Sequence, residues 1–149
     1  MTVLIREHVC WLDASVASRG EVIRRLVETA HATGHVDLVD EVIHAVEQRE
    51  AEGTTGFGKG IAIPHGKSSA VRKPALLFAK LAQPVDWNSL DGKPVNMVFM
   101  ILVPEGANDD HLRLLSALAR KLMHDDFVEG LRAAQDEEQL ASFVNGALS

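Results

Sequence analysis

At 149 residues the chain is long enough to bury a core of its own, and we expect one domain over residues 1–149. Hydrophobic residues make up 46% of the chain and charged residues 24%, which excludes a disordered chain and a coiled-coil rod. The formal net charge of −6 argues against nucleic-acid binding as the main activity, because phosphate backbones are held by clustered Lys and Arg.

The N-terminal third of the chain predicts a short strand and a helix. The strand would lie near Val3 to Ile5. Ser18 and Glu21 then have the spacing of a capping box, and the apolar residues from Val22 to Ala30 recur at helical intervals. The sequence Met1 to Arg6 lacks the order of basic, apolar and small residues that marks an export signal, so we expect a cytoplasmic protein.

A second helix is predicted directly after the first. Asp37 is the expected cap, and the apolar face runs from Val39 to Val46. His31 and His35 are four residues apart, and we interpret them as a solvated helix face rather than as half of a zinc site.

The middle of the chain predicts strands. Five glycines lie between Gly53 and Gly66 around Ile61 to Ile63, which we interpret as a buried strand that ends at Pro64. Ala75 to Leu81 and Val95 to Val103 predict two more strands. The last of these is almost continuously apolar, so we expect both of its faces to be covered, and it is too short to cross a membrane.

The C-terminal third predicts helices again. Asn108 or Asp109 is expected to cap the third helix, with His111 in its first turn. A short helix follows near Phe127 to Ala134, and Asp136 opens the last one. Helices on both sides of a sheet of three to five strands predict an α/β domain, a three-layer α/β/α sandwich with a central mixed sheet.

Charge is distributed unevenly along the chain. Between Gly53 and Val85 there are five basic residues and no Asp or Glu: Lys59, Lys67, Arg72, Lys73 and Lys80. Such a stretch suits a bound anion, and it equally suits an ordinary solvated loop.

His65 is the first candidate for chemistry. It follows a buried strand and stands between Pro64, which fixes the chain direction, and Gly66, which leaves room beside it. His111 adds a second imidazole at a helix start, where unpaired backbone N–H groups favour an anion. Together they could hold a phosphoryl group, with His65 as nucleophile. The alternative is that both are ordinary surface histidines.

Other site classes have weaker support. The glycine-rich segment lacks the Gly-Lys-Ser/Thr ending of a P-loop, which argues against nucleotide binding. A metal-dependent hydrolase built on His65 and His111 would lack further ligands at metal-binding spacing. Cys10 cannot form an internal disulfide, and we interpret it as a small buried apolar residue.

The sequence resembles a known family. Arg49-Glu50, the segment from Thr54 to Gly66, Asp91-Gly92-Lys93-Pro94-Val95 and the helix with His111 together resemble the fructose/mannitol-type enzyme IIA domain of the bacterial phosphoenolpyruvate:sugar phosphotransferase system. The most specific part is Gly-x-Ala-Ile-Pro-His-Gly at Gly60 to Gly66. The stretch from Pro84 to Val95 is more similar to the fructose branch than to the mannitol branch.

The resemblance implies a function and its residues. His65 would accept a phosphoryl group, expected on Nε2, from the carrier HPr and pass it to a cysteine of enzyme IIB, which acts with the permease enzyme IIC. His111 would stabilise the phosphoryl group and Arg49 would orient or neutralise charge, unless Arg49 pairs with Glu50 or Glu52 instead. Neither a cofactor nor a metal is expected.

The resemblance also assigns supporting residues. Thr55 and the glycine-rich loop would supply hydrogen bonds, and Gly56, Gly60, Pro64 and Gly66 would support the site beside Thr55.

 Apolar residues in the segment from Thr54 to Gly66 could also exclude water from the histidine. Phe57, Ile61 and Ile63 could form such an apolar rim, although the two isoleucines could equally belong to the core.

The resemblance leaves one alternative open. A nitrogen-type regulatory enzyme IIA uses the same histidine but acts by binding target proteins, depending on its phosphorylation. Nothing in the sequence is similar to the cysteine loop of enzyme IIB or the membrane helices of enzyme IIC, so those parts belong to other chains, or the chain is one domain of a fusion.

Overall fold

The computed structural model describes residues 3–106 and 110–148, without the side chains of Asp110 and His111. In this part of the chain, six strands form one mixed sheet in the order β1-β5-β6-β3-β2, with β4 also beside β6. The strands are β1 (Val9–Leu12), β2 (Gly56–Gly58), β3 (Ile61–Ala62), β4 (His65–Ser68), β5 (Ala75–Val85) and β6 (Val95–Pro104). The helices are a 3₁₀ turn (Arg6–His8), α1 (Arg19–Ala32), α2 (Val39–Glu52), α3 (Asp110–Leu122), α4 (Asp125–Ala133) and α5 (Glu137–Leu148).

The sheet has a separate hydrophobic core on each face. Side chains of β6 alternate between the two, with Val98 and Met100 on one face and Phe99 and Ile101 on the other. Helices α1 and α2 pack on the first face, and α3, α4 and α5 on the second. The predicted three-layer α/β/α sandwich is therefore confirmed, as is the expectation that both faces of β6 are covered.

The predicted count of three to five strands is wrong, because the described residues form six. Two of the missed strands are Gly56–Gly58 and His65–Ser68. Both are short and carry glycine or polar residues instead of an apolar alternation, so their sequences give no strand signal. Backbone hydrogen bonds to neighbouring strands hold them in the sheet.

The predicted strand at Val3 to Ile5 is also wrong. The backbone N–H groups of Val3 and Leu4 both donate to Oδ1 of Asn145 in α5, each at 2.8 Å. The first strand is instead β1, which pairs in parallel with β5. A single side chain distant in sequence thus takes the donors that a strand would need.

The starts of α1 and α5 follow the predictions, and the start of α2 does not. Ser18 caps α1, since its hydroxyl accepts from the Glu21 N–H at 3.2 Å. Asp136 accepts from the Gln139 N–H at 2.8 Å at the start of α5. Asp37 does not cap α2, which starts after Leu38, because its carboxylate pairs with Arg72 at 2.7 Å. The predicted caps of α3, Asn108 and Asp109, lie outside the described residues.

The interpretation of His31 and His35 as one helix face is wrong, since α1 ends at Ala32. His35 instead lies against His8, with ring centroids 4.7 Å apart. His8 is 2% exposed; its Nδ1–H donates to the Leu76 carbonyl at 3.1 Å, and its Nε2 lies 2.7 Å from the Thr33 hydroxyl. Burial, followed by the neighbouring His35, lowers the pKa of His8 to about 4.

Stability should therefore depend on the protonation of His8. An unfolded histidine takes up a proton near pH 6.5, while the folded state resists protonation until about pH 4. The free energy of unfolding should fall as the pH drops through this window, by roughly 3 kcal/mol at most from this group. Urea unfolding at successive pH values should show a smaller fall in His8→Gln than in wild type.

His44→Gln is the control, because His44 is exposed on α2. It should keep the wild-type dependence on pH. If the free energy of unfolding fell equally in His8→Gln and wild type between pH 6.5 and 4, the assignment to His8 would be contradicted.

Candidate functional site

His65 lies at the beginning of β4, and β4 continues β3 beyond Pro64. Both segments pair with β6 in a single register, with Ile61 opposite Met97 and His65 opposite Ile101. Strand β2 pairs with β3 and does not extend along β4. Among the described strands, β4 therefore pairs with β6 alone. His65 is therefore placed at an edge of the sheet, where it is half-buried.

Both ring nitrogens of His65 have hydrogen-bond partners. Nδ1 lies 3.0 Å from the Ile63 carbonyl, which can only accept, so Nδ1 carries the proton. Nε2 lies 3.2 Å from Nε of Arg49, which can only donate, so Nε2 presents its lone pair. The geometry thus selects one neutral tautomer, with the proton on Nδ1 and the lone pair on Nε2.

Arg49 reaches the imidazole from the last turn of α2. Its Nη1 donates to the Gly53 carbonyl at 2.8 Å, which ties the guanidinium to the end of its own helix. The predicted alternative was a pair with Glu50 or Glu52. The structure instead brings Arg49 together with His65, and Glu50 has other partners.

Glu50 anchors the loop that follows α2. It is 6% exposed, and its carboxylate accepts hydrogen bonds from the N–H and the hydroxyl of Thr55 and from Nε1 of Trp87, the last at 3.1 Å. Sequence reasoning assigned Thr55 a supporting role but missed Glu50 and Trp87. No local signal separates Glu50 from its acidic neighbours, because only the tertiary structure buries it.

Gly66 allows α2 to approach β4 closely. A Cβ at this position would lie 2.9 Å from Cγ2 and 3.3 Å from the backbone nitrogen of Val46. Arg49 follows Val46 in the same helix, so this contact helps to set its distance from His65. Gly60, with φ +79°, adopts a left-handed conformation that favours glycine, next to Asn96. Gly56 lies against Ser89.

A small depression opens beside His65, between the sheet and α3. Gly66, Lys67, Ile101, Val103 and Leu115 line it together with the imidazole. His111 lies in the first turn of α3, but its side chain is outside the described residues.

The apolar rim differs from the expected one. Ile61 and Ile63 are buried in the core on the α3 side, and Phe57 packs against the same core while half-buried. Leu115 lines the depression and also packs against this core, and Leu112, earlier on the same helix, is 50% exposed. The apolar lining of the depression is thus supplied by Ile101 and Val103 of β6 and by Leu115 of α3.

The basic residues of the acid-free stretch do not gather around His65. Lys59 donates to the carbonyls of Leu122 and Met123 at the end of α3 and pairs with Asp125 at 2.9 Å. Arg72 pairs with Asp37, as described above. Lys80 donates to carbonyls at the end of α4. Of the five, Lys67 alone is seen to line the depression.

The described residues contain no group of three or more His, Cys, Asp or Glu side chains that could hold a metal ion. In the same part of the chain, no helix has the length and apolar character needed to span a bilayer. Cys10 is half-buried near Thr29 of α1, and burial raises the pKa of its thiol. It packs against the core on the α1 side, as a small apolar residue would.

A protein-family model described as "Phosphoenolpyruvate-dependent sugar phosphotransferase system, EIIA 2" matches residues 3–146. The chain belongs to this family. A fructose-specific enzyme IIA component from Haloferax volcanii is 43% identical to it over 127 residues, which cover 85% of this chain and 82% of that protein. The predicted membership in the enzyme IIA family is therefore confirmed.

Relatives from the nitrogen branch are similar as well. A nitrogen regulatory protein from Bradyrhizobium diazoefficiens is 41% identical over 145 residues, covering 97% of this chain and 94% of that protein. The structure of the nitrogen regulatory protein IIA-Ntr from Neisseria meningitidis has a TM-score of 0.85 and 31% identity, covering 95% of this chain and 96% of the other. The enzyme IIA fold is thus shared between the two branches.

The close contact at Gly66 can be tested by substitution. Gly66→Ala should lower the free energy of unfolding by about 1–3 kcal/mol, because the added methyl group must displace α2. Gly20→Ala is the matched control, since Gly20 is exposed in α1 with no atom within 4 Å of its Cβ position. That control should gain roughly 0.5–1 kcal/mol in urea unfolding. Wild-type stability of Gly66→Ala would show that the contact is not tight.

Proposed function

We propose that this enzyme IIA domain is a phosphocarrier that takes a phosphoryl group from phosphorylated HPr onto Nε2 of His65. It passes the group to a cysteine of enzyme IIB, which works with an enzyme IIC permease in the uptake of fructose or a related sugar. The observation that carries this proposal is the pair of hydrogen bonds on the imidazole, from Nδ1–H to Ile63 and from Arg49 to Nε2.

The chemistry follows from this tautomer. The Nε2 lone pair attacks the phosphorus of the donor's phosphohistidine, and the donor's P–N bond breaks with its electron pair returning to the donor ring. In the second step, a thiolate of enzyme IIB attacks the phosphorus and the electron pair of the N–P bond returns to Nε2 of His65. The bond from Nδ1–H to the Ile63 carbonyl keeps the ring in one orientation through both steps.

Arg49 changes partner in this scheme. Its Nε–H occupies the Nε2 lone pair in the free protein, so it must give way as the phosphoryl group arrives. The guanidinium then lies beside phosphoryl oxygens, whose negative charge it stabilises. Its second contact, to Gly53, keeps it close during the exchange.

His111 has the complementary role in the proposal. The first turn of α3 offers backbone N–H groups with no partner inside the helix, and these favour an anion. His111, in that turn, would donate a further hydrogen bond to the phosphoryl oxygens. Thr55, Gly56, Gly60, Pro64 and Gly66 act indirectly, by shaping the loop and strand that hold His65.

A partner protein must also keep water away from the N–P bond. Leu115 lines the depression at His65, and Leu112, earlier on the same helix, is an exposed apolar side chain. A docked donor or acceptor covering these leucines would exclude solvent while aligning the reacting atoms.

The histidine is tested by phosphorylation. Wild type incubated with phosphoenolpyruvate, enzyme I and HPr should acquire an acid-labile phosphate, because a phosphohistidine hydrolyses in acid. His65→Ala should lose the label, measured by mass spectrometry before and after acid treatment. His44→Ala should keep it, since His44 is exposed elsewhere on α2. Full labelling of folded His65→Ala would reject the assignment.

The stabilising groups are tested by the rate of transfer. His111→Ala and Arg49→Ala should fold and still become labelled, but transfer to enzyme IIB should slow by about 100- to 1,000-fold, as for loss of one group that stabilises transition-state charge. Rapid-quench measurement gives the rate. Wild-type kinetics in either variant would remove that residue from the proposed site.

The second candidate function is that of a nitrogen-type regulatory enzyme IIA, favoured by the similarity to the Bradyrhizobium and Neisseria proteins. The same phosphorylated protein separates the two. Transfer to a fructose enzyme IIB supports sugar uptake. Retention of the phosphate, together with binding to a target protein that differs between the two phosphorylation states, supports regulation.

A further inference from the structure

We propose that Glu50 is a positioning residue that fixes both the tautomer of His65 and the placement of Arg49. This inference rests on the proposed function, because it assigns to Glu50 a role in the same phosphoryl transfer. Glu50 touches neither the imidazole nor the guanidinium, so it acts through the residues that it binds.

The partners of Glu50 make it an anchor. Its carboxylate is almost fully buried and accepts from two groups of Thr55 and from the indole of Trp87. These donors are neutral, and they come from the loop after α2 and from the segment after β5. An acceptor buried among several donors is costly to remove, because each donor then loses its partner.

One path leads from this anchor to Nδ1 of His65. The Thr55 carbonyl accepts from the Ile63 N–H at 3.0 Å, and the Ile63 carbonyl accepts from Nδ1–H of His65 at 3.0 Å. Glu50 therefore holds Thr55, Thr55 holds Ile63, and Ile63 holds the ring. Two hydrogen bonds join Glu50 to Thr55, and one hydrogen bond makes each of the later steps, so a displacement of Thr55 is passed on to the imidazole.

A second path leads to Nε2 of the same ring. Arg49 precedes Glu50 in the chain, in the last turn of α2, and donates to Nε2 at 3.2 Å. By joining that turn to Thr55, Glu50 fixes the end of the helix relative to the strand that carries His65. The two hydrogen bonds that select the tautomer therefore share one anchor.

Glu50→Gln is the most direct variant, since it keeps the shape of the side chain. One oxygen of Glu50 accepts from the Thr55 N–H, and the other from the Thr55 hydroxyl and the Trp87 N–H. Whichever way the amide is turned, its NH₂ group faces an N–H donor. The loop must shift to relieve this contact.

The first readout is the tautomer of His65 in the unphosphorylated protein, from ¹H–¹⁵N NMR of the ring nitrogens. Wild type should show the Nδ1–H form alone, and folded Glu50→Gln should show an additional Nε2–H population. The second readout is phosphoryl transfer. Its kcat should fall by about 10- to 100-fold, since misplaced reacting groups lose that much, while KM for phosphorylated HPr stays within about twofold.

Glu52→Gln is the matched control. It removes the same charge from the same helix, but Glu52 is exposed. It should keep the wild-type ring spectrum and kcat. If Glu50→Gln does not fold, Thr55→Val replaces it, because this change removes the hydroxyl donor at nearly constant shape and should shift both readouts in the same direction.

A wild-type ring spectrum and kcat in the folded Glu50→Gln variant, or in Thr55→Val where the first does not fold, would overturn the proposal. Its failure is distinct from failure of the phosphocarrier function. If wild-type His65 takes no phosphate, the function is wrong, whereas the NMR comparison still decides whether Glu50 controls the ring.

Discussion

The site depends on one constraint, that a neutral imidazole is held at both nitrogens while remaining half-buried at an edge of the sheet. The Ile63 carbonyl fixes the proton on Nδ1, and Nε–H of Arg49 donates a hydrogen bond to Nε2. A ring free to rotate would present either nitrogen to a donor. The two bonds leave one reactive atom in one place, which is what transfer across a protein interface requires.

The architecture serves this constraint from both faces of the sheet. Helix α2, on one face, brings Arg49 to His65 at the start of β4, and the absence of a side chain at Gly66 permits the close approach. Helix α3, on the other face, brings Leu115 to the depression.

Glycines and lysines in the same segment have structural tasks rather than one shared ligand. Lys59 caps the end of α3, where a cation is favoured by the carbonyl groups of the last turn. Its own backbone has φ +59°, which is uncommon for a residue with a side chain. Lys59, Arg72 and Lys80 thus have separate contacts away from His65, so these three cations do not hold one shared anion.

The sequence by itself determined the layered α/β fold, most of the helices and the family, because apolar periodicity and the Gly-x-Ala-Ile-Pro-His-Gly pattern are local. It also singled out His65 and Arg49. Only the tertiary structure decided that Glu50 is buried, that Val3 and Leu4 bind Asn145, and that Asp37 pairs with Arg72. Each of these contacts depends on a partner distant in sequence or on burial by a distant segment. Such contacts produce no periodic pattern in the local sequence from which they could be predicted.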